Sequence, residues 1–165
     1  MWEKDFIFRL ADEKDILAIM KVIEKRCLWM KENSINQWDE DYLKLYNFDY
    51  FKSKVEKKEL FLVENLEKIV GTFVLLEEDE RWENDVPAYY IHNFATDTQI
   101  SGIGAKIIEY CEKLCKKNSK KTLRLDCNIH NEKLNNYYEK KDFKVVGICD
   151  ESPEYIGYKR EKYIF

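Results

Sequence analysis

Gln99-Ile-Ser-Gly102-Ile-Gly104 stands between a strand-like run, Tyr89 to Ala95, and the most regular helical pattern in the chain. Ile103, Ile107, Ile108, Cys111, Leu114 and Cys115 recur at helical spacing, and Lys106, Glu109, Glu112, Lys113 and Lys116 fall on the other face. The first N–H groups of a helix have no partner within it and its dipole leaves that end positive, so a strand-to-helix junction is a ready anion site. Glycines at such a junction let a phosphate reach the backbone. A plain turn would carry the same residues, so Gly-x-Gly alone is a weak signal. A dinucleotide-binding fold would also want an acidic residue about 20 positions on, where Asp126 lies, but Ile107 holds the third glycine position and too little chain remains for a doubly wound sheet. No Gly-Lys-Ser/Thr is present for a nucleotide P-loop.

Outward from this junction the pattern alternates strands and helices. Ile7 to Leu10 reads as a first strand. Asp12 then caps a long helix carrying Ile16, Met20, Ile23, Cys27 and Met30 on one face. A polar break, Lys31 to Gln37, precedes a second helical stretch marked by Phe48, Phe51 and Val55. Leu60 to Val63 and Ile69 to Leu76 read as a hairpin, followed by an acidic loop from Glu77 to Asp85. Beyond the Ile103 helix, Leu123, Leu125, Cys127 and Ile129 alternate with Arg124, Asp126, Asn128 and His130, giving a strand with one apolar and one polar face. A short helix, Glu132 to Lys141, and two strands, Phe143 to Ile148 and Tyr155 to Phe165, close the chain. No repeat or linker divides it, so the expectation is one α+β domain over residues 1–165 with a mixed sheet.

Two motifs read together are more specific than either alone. Gln99-x-x-Gly102-x-Gly104 and Asn131-(x)6-Tyr138-Glu139-Lys140-x-x-Phe143, one on each side of the alternating strand, resemble the GNAT acetyltransferase superfamily. The likeness extends from the Arg9-Leu-Ala-Asp12 opening to the terminal strand pair. It implies a central mixed β-sheet of about seven strands flanked by about four helices. It also implies acetyl-CoA as cosubstrate, with its pyrophosphate on Gln99, Ile100, Ser101, Gly102, Ile103, Gly104 and Ala105. Phe94, Ala95 and Thr96 of the preceding strand, with Asn131 and Tyr138, complete the implied cofactor set, and a backbone N–H near Phe94 to Thr96 is the implied oxyanion donor. Tyr138 is the implied general acid. One departure is plain: Asp142 stands where the family usually has glycine, and an aspartate tolerates the left-handed backbone better than most residues.

Acetyl transfer to an amine builds an oxyanion, expels a thiolate and needs a neutral nucleophile. Tyr138 can protonate the thiolate, although Leu134, Tyr137 and Tyr138 share a helical face and the same tyrosine would serve as core. A lysine-like amine is ionised at pH 7, and freeing it costs roughly 4.6 kcal/mol. Asp126 and His92 are the candidates for a base or water relay. Asp126 would alternatively partner Arg124 or a helix end, and His92 would alternatively be a satisfied strand residue. The implied acceptor side is the loop between the first two helices, so Trp29 and Trp38 join His92 as candidate substrate-binding residues, with Trp82 nearby. The acidic run Glu77 to Glu80, with Glu83 and Asp85, is able to draw a cationic amine if it faces the cleft; a solvated turn is the alternative.

Composition excludes several other classes. The chain has 165 residues, a net charge of −4 and no basic stripe, so nucleic acid is not an expected partner. No apolar run spans a membrane and the N-terminus has no signal-peptide pattern, which places the protein in the cytoplasm. Five cysteines without Cys-x-x-Cys, and two histidines, argue against zinc sites and disulfides; no metal is expected, and Cys111 and Cys115 read as core. The reading is therefore an N-acetyltransferase that moves acetyl directly to a primary amine, probing first for a small molecule. The alternatives are a protein or peptide N-terminal or lysine acetyltransferase and, from another class, a non-catalytic acyl-CoA-binding sensor or interaction domain. Monomer and homodimer are both compatible with it.

Overall fold

Leu123, Leu125 and Cys127 pack into one core while Arg124 and Asp126 make polar contacts on the other side of the same strand, so this strand separates two layers. The fold around it is a computed structural model that describes residues 5–35, 38–39, 41–152 and 155–164. Its strands are β1 (Ile7–Leu10), β2 (Leu60–Asn65), β3 (Lys68–Leu76), β4 (Ala88–Thr96), β5 (Thr122–Asn128), β6 (Lys144–Ser152) and β7 (Tyr155–Tyr163). They form one seven-stranded sheet in the order β1-β2-β3-β4-β5-β7-β6. Its helices are α1 (Ile16–Glu32), α2 (Tyr42–Leu45), α3 (Phe48–Glu56), α4 (Ile103–Lys117) and α5 (Glu132–Lys140), with a 3-10 turn over Glu13–Asp15 ahead of α1.

The α+β class, the mixed sheet and its seven strands agree with the sequence reading. Among the described residues there are five helices against the expected about four, because Tyr42–Leu45 adds a single turn too short to show periodicity. β6 runs to Ser152, past the expected Ile148, by pairing along most of β7. Asn36 and Gln37, in the expected loop between the first helices, lie outside the described residues.

α4 and α5 cover one face of the sheet through Ile103, Ile107, Cys111, Tyr138 and Phe143; α1 and α3 cover the other through Ile16, Ile19, Ile23 and Phe51. Cys111 and Cys115 are fully buried in the first core. Among the described residues the only parallel pairing is β4 with β5, as the α4 crossover requires. It lasts three residue pairs, from Ala88–Thr122 to Tyr90–Arg124. Beyond Tyr90, β4 follows β3 and β5 follows β7, so the middle of the sheet opens into a cleft. Among the described residues no helix is long and apolar enough to cross a membrane.

Candidate active site

The mouth of that cleft is the loop between β4 and α4. Gly102 takes the left-handed conformation (φ +87°) at the helix N-cap, and a β-carbon on it would meet nothing within 4 Å. The Gln99 N–H bonds the Asp97 carboxylate at 2.8 Å, folding the loop back on itself. From Ile100 to Ala105, no backbone N–H finds an acceptor among the described residues. Such a row of free donors at a helix start is an anion cradle. Gly71 on β3 fixes where α4 begins: a β-carbon there would stand 3.1 Å from Ile103 Cγ2 and 3.2 Å from Ile107 Cδ1, so the missing side chain seats the helix on the sheet. Nothing in the β3 alternation pointed to this role.

β4 carries the second feature. Thr72 pairs with Ala95 and Val74 with His92, so Asn93 and Phe94 together oppose Phe73 as a β-bulge. Asn93 has φ +50°, a conformation that costs a side-chain-bearing residue about 1–2 kcal/mol and Asn less than most. The bulge resets the alternation: Ile91 and Phe94 both pack toward α4, while Ala95 is buried on the α1 side. Asn93 Oδ1 accepts from the Tyr50 hydroxyl at 2.7 Å and its Nδ2 donates to the Tyr42 oxygen at 2.6 Å. Sequence reasoning missed all three residues; an asparagine in mid-strand, where Asn is disfavoured, was the available signal. Farther along β4, Arg26 of α1 donates to the Thr96 carbonyl at 2.8 Å and to its hydroxyl at 2.9 Å.

The second motif forms α5 and the turn after it. Asn131 is the N-cap, its side chain accepting the Leu134 N–H at 3.2 Å. Asp142 has φ +68°, so it adopts the backbone for which the family usually employs glycine. Tyr138 is 7% exposed and packs on Tyr137 and Phe143. Its hydroxyl has no hydrogen-bonding partner among the described residues, yet Thr122 Oγ1 is the only sealed, unpartnered side-chain polar atom among them, so the Tyr138 hydroxyl is not fully sealed from solvent. Burial pushes its pKa well above 10, and the nearby Cys127, Tyr137 and Asp126 push the same way. Tyr138 is thus a standing proton donor and not a base at any ordinary pH.

His92 and Asp126 meet in one network. His92 Nε2 lies 2.6 Å from Asp79 Oδ2, and Nδ1 lies 3.1 Å from Arg81 Nη2. A guanidinium only donates, so Nδ1 is the acceptor and the imidazole is the neutral tautomer with Nε2–H on Asp79. Burial alone would raise the Asp79 carboxyl, but the His92 bond, with help from Arg81, brings it below the usual range. Asp126 Oδ2 accepts from the Tyr155 hydroxyl at 2.6 Å and Oδ1 faces Arg81 Nη1 at 3.5 Å. The alternative partner for Asp126, Arg124, is elsewhere: it binds Glu161 at 2.6 Å and Asp85 at 2.8 Å beneath the Trp82 ring.

The acidic run does not act as a unit. Asp79 turns in to His92, Glu77 pairs with Lys120 at 3.0 Å, and Glu77 and Glu78 line a separate cavity of about 500 Å³ with Lys57 and Lys58. Each candidate tryptophan stands one contact from β4. Trp29 stacks under Arg26 (4.8 Å), which holds Thr96, and Trp38 stacks on Tyr42 (4.2 Å), which holds Asn93. Tyr42, Tyr46 and Tyr50 continue that stack along α2 and α3 as an aromatic wall.

Free N–H groups at a helix start and a buried tyrosine flank a splayed parallel strand pair, and residues 24–143 match the model of the acetyltransferase (GNAT) family. The chain belongs to the GNAT acetyltransferase family. It is an acyltransferase, and the acyl donor of its family is acetyl-CoA. This GNAT chain is 21% identical over 143 residues to the uncharacterized N-acetyltransferase YesJ of Bacillus subtilis, covering 81% of this chain and 79% of YesJ. A GNAT-family acetyltransferase structure from Listeria monocytogenes superposes with a TM-score of 0.74 at 27% identity, over 96% of this chain and 94% of that one. PaiA N-acetyltransferase of Thermoplasma acidophilum, solved in complex with coenzyme A, shares the fold at a TM-score of 0.76 and 15% identity, over 96% of this chain and 99% of its own.

Proposed function

We propose that this chain, as one domain, is an N-acetyltransferase that moves acetyl from acetyl-CoA directly to a primary amine, with a small molecule as acceptor. The observation that carries the reading is the row of unpaired N–H groups from Ile100 to Ala105 at the start of α4, where β4 and β5 part. In this reading the cradle holds the pyrophosphate, and a β4 backbone N–H at the bulge receives the thioester oxygen as it becomes anionic, a contact whose loss costs about 2.7–4 kcal/mol. The amine nitrogen attacks the carbonyl carbon, the carbon–sulfur bond breaks, and Tyr138 donates to the departing sulfur. Because Tyr138 holds its proton more tightly than a thiol does, its contribution is a strong hydrogen bond as charge builds on sulfur.

Of the two base candidates, His92 has its tautomer fixed by Asp79, but its single Nδ1 lone pair is held by Arg81 Nη2 at 3.1 Å, and the oxygens of Asp126 likewise face Tyr155 and Arg81. In this reading Arg81 moves off Nδ1, which then takes the proton leaving the amine directly or through one water. Buried cysteines and a direct transfer are mutually consistent, since no thiol is needed as an acyl carrier. Incubation with acetyl-CoA and a panel of amines, scored by release of free coenzyme A thiol, tests the reading. Turnover with a small primary amine is expected. Turnover only with peptides would move the acceptor to the protein class, and tight acetyl-CoA binding with no turnover on any amine would make the chain a sensor.

A further inference from the structure

Asn93 is the one residue of β4 in the left-handed region, and it is 7% exposed. Its side chain has both ends engaged, and its two partners come from different helices, Tyr42 from α2 and Tyr50 from α3. Burial raises the pKa of both tyrosines well above 10, so neither hydroxyl titrates away from the clamp. Strained backbone persists where surrounding contacts over-determine it, and here the over-determining contacts reach into the aromatic wall. Trp38, Tyr42, Tyr46 and Tyr50 contact one another in series at 4.2–4.9 Å between ring centres, the first pair stacked, the second tilted and the third edge-on, so a shift of one ring is passed along the row. At the other end of the same row, Phe51 is fully buried in the α1-side core and anchors α3.

We infer that Asn93 is a positioning residue: its amide ties the acceptor-side wall of α2 and α3 to the β4 bulge, so that the wall and the backbone donor to the thioester oxygen are set by one contact. The inference rests on the acetyl-transfer reading given above and goes beyond it, because it assigns the alignment of acceptor against acyl group to a side chain that touches neither. A ladder residue with a merely local duty would need one partner; Asn93 uses its carbonyl oxygen and its amide nitrogen on two separate elements. The geometry also explains why the bulge carries Asn and not Gly. Glycine would accept the backbone at less strain but would leave two buried tyrosine hydroxyls without their partner, and unpaired buried polar groups are costly.

The test uses the full chain and the best amine from the acceptor panel. Asn93→Gly relieves the backbone and deletes the clamp; Tyr42→Phe and Tyr50→Phe each delete one hydroxyl and keep the ring. Each is expected to lower kcat about tenfold and to raise KM for the amine, while the acetyl-CoA Kd from calorimetry moves less than threefold. Asn93→Gly combined with Tyr50→Phe is expected to be no worse than Asn93→Gly alone, because the same contact is lost once. Asn93→Asp, which keeps an acceptor for Tyr50, is expected to recover part of the lost kcat. Unchanged kcat and KM in a folded Asn93→Gly, or losses that multiply in the double variant, would overturn the positioning role and leave acetyl transfer intact. A wild-type chain inactive on every amine would remove the acetyl-transfer reading itself, and the positioning role with it. Should Asn93→Gly not fold, unchanged kcat and amine KM in both Tyr42→Phe and Tyr50→Phe would overturn the positioning role.

Discussion

A β-carbon on Gly104 would stand 3.6 Å from the Tyr137 hydroxyl and 3.8 Å from Phe94 Cζ. The two motif segments therefore face each other with room for about one methyl group between Gly104 and the Tyr137 hydroxyl. Alanine fits this gap in ordinary contact and adds helix propensity worth up to about 1 kcal/mol at an early helical position. Valine has nowhere to send its second methyl except against Tyr137 or over the N–H row. Gly104→Val is expected to weaken coenzyme A at least tenfold, about 1.4 kcal/mol, and Gly104→Ala to leave it within threefold. Calorimetric titration of the two variants decides; equal affinity in a folded Gly104→Val would mean that the pyrophosphate does not lie on this loop.

Tyr138 and Tyr137 are adjacent but differ in surroundings. Tyr138 is buried against Phe143, whereas Tyr137 is half-buried beside Gly104 with Lys141 over its ring at 5.2 Å. Tyr138→Phe is expected to lower kcat by roughly 10²–10⁴ and to keep acetyl-CoA affinity within a few-fold. Tyr137→Phe is expected to alter coenzyme A affinity more than kcat. Steady-state kinetics with the reverse pattern would give the acid role to Tyr137.

For His92, the Asp79 contact makes a further distinction. Asp79→Asn keeps a hydrogen-bond acceptor but removes the charge that steadies a protonated imidazole, so kcat is expected to drop about tenfold to a hundredfold and His92→Gln at least as much. His92→Gln is expected to lower kcat more than Asp126→Asn does. Steady-state kinetics with the reverse order would transfer the base role to Asp126.

How the fold was legible is seen best in α4 and β5. Their apolar residues keep one period from end to end, because each element has one face in a single core, and such patterns are read directly from spacing. The Gly102 loop was legible for the same local reason: left-handed backbone and free N–H groups are demands on a few adjacent residues. Asn93, Asp79 and Arg81 were not legible, since their roles depend on partners 11 to 51 positions away that only the register brings together. The bulge at Asn93 moves every later β4 side chain to the other face, so strict alternation predicts the wrong face for Ala95. The acidic run misled in the opposite way: proximity in sequence suggested a shared field, and the loop sends its carboxylates in different directions.

The cysteines give a prediction that bears on the assay itself. Burial pushes the thiols of Cys27 and Cys127 up to about 11 and that of Cys115 to about 12, and Cys111 is raised well beyond its ordinary value. The thiolate is the reactive form, so at pH 7.5 the native chain is expected to react with a disulfide reagent far more slowly than the unfolded chain, and alkylation under native conditions is expected to leave activity unchanged. Counting reactive thiols with and without denaturant checks this. Rapid loss of activity on alkylation in the folded state would reopen a covalent route through cysteine.

The last expectation concerns acid. Asp15, at the start of α1, is 7% exposed and accepts from Arg9 Nη1 at 2.8 Å, Arg9 Nη2 at 3.0 Å and the Asp12 N–H at 2.8 Å. The Arg9 bonds hold its carboxyl below the usual range, against the upward push of burial, and the Asp12 N–H adds to them. A carboxyl whose pKa is lower folded than unfolded stabilises the fold above the unfolded value, near 3.9, and loses that contribution as pH falls through the folded value. Asp79, lowered on balance by His92 and Arg81, has the same sign. The melting temperature is therefore expected to be flat from pH 7 to 5 with respect to these groups and to drop below about pH 4. Asp15→Asn removes the charge and keeps the shape. Because Arg9 is one-third exposed, the loss at pH 7 is discounted to about 1–2 kcal/mol, or roughly 2–8 °C for a chain of this size. The variant and wild-type curves are expected to draw together as pH falls below about 4, because the contribution of the Asp15 charge is lost as pH falls through its folded value. A gap that stays constant from pH 7 to 3 would show that Asp15 acts through its cap geometry alone and that its charge is not what holds β1 to α1.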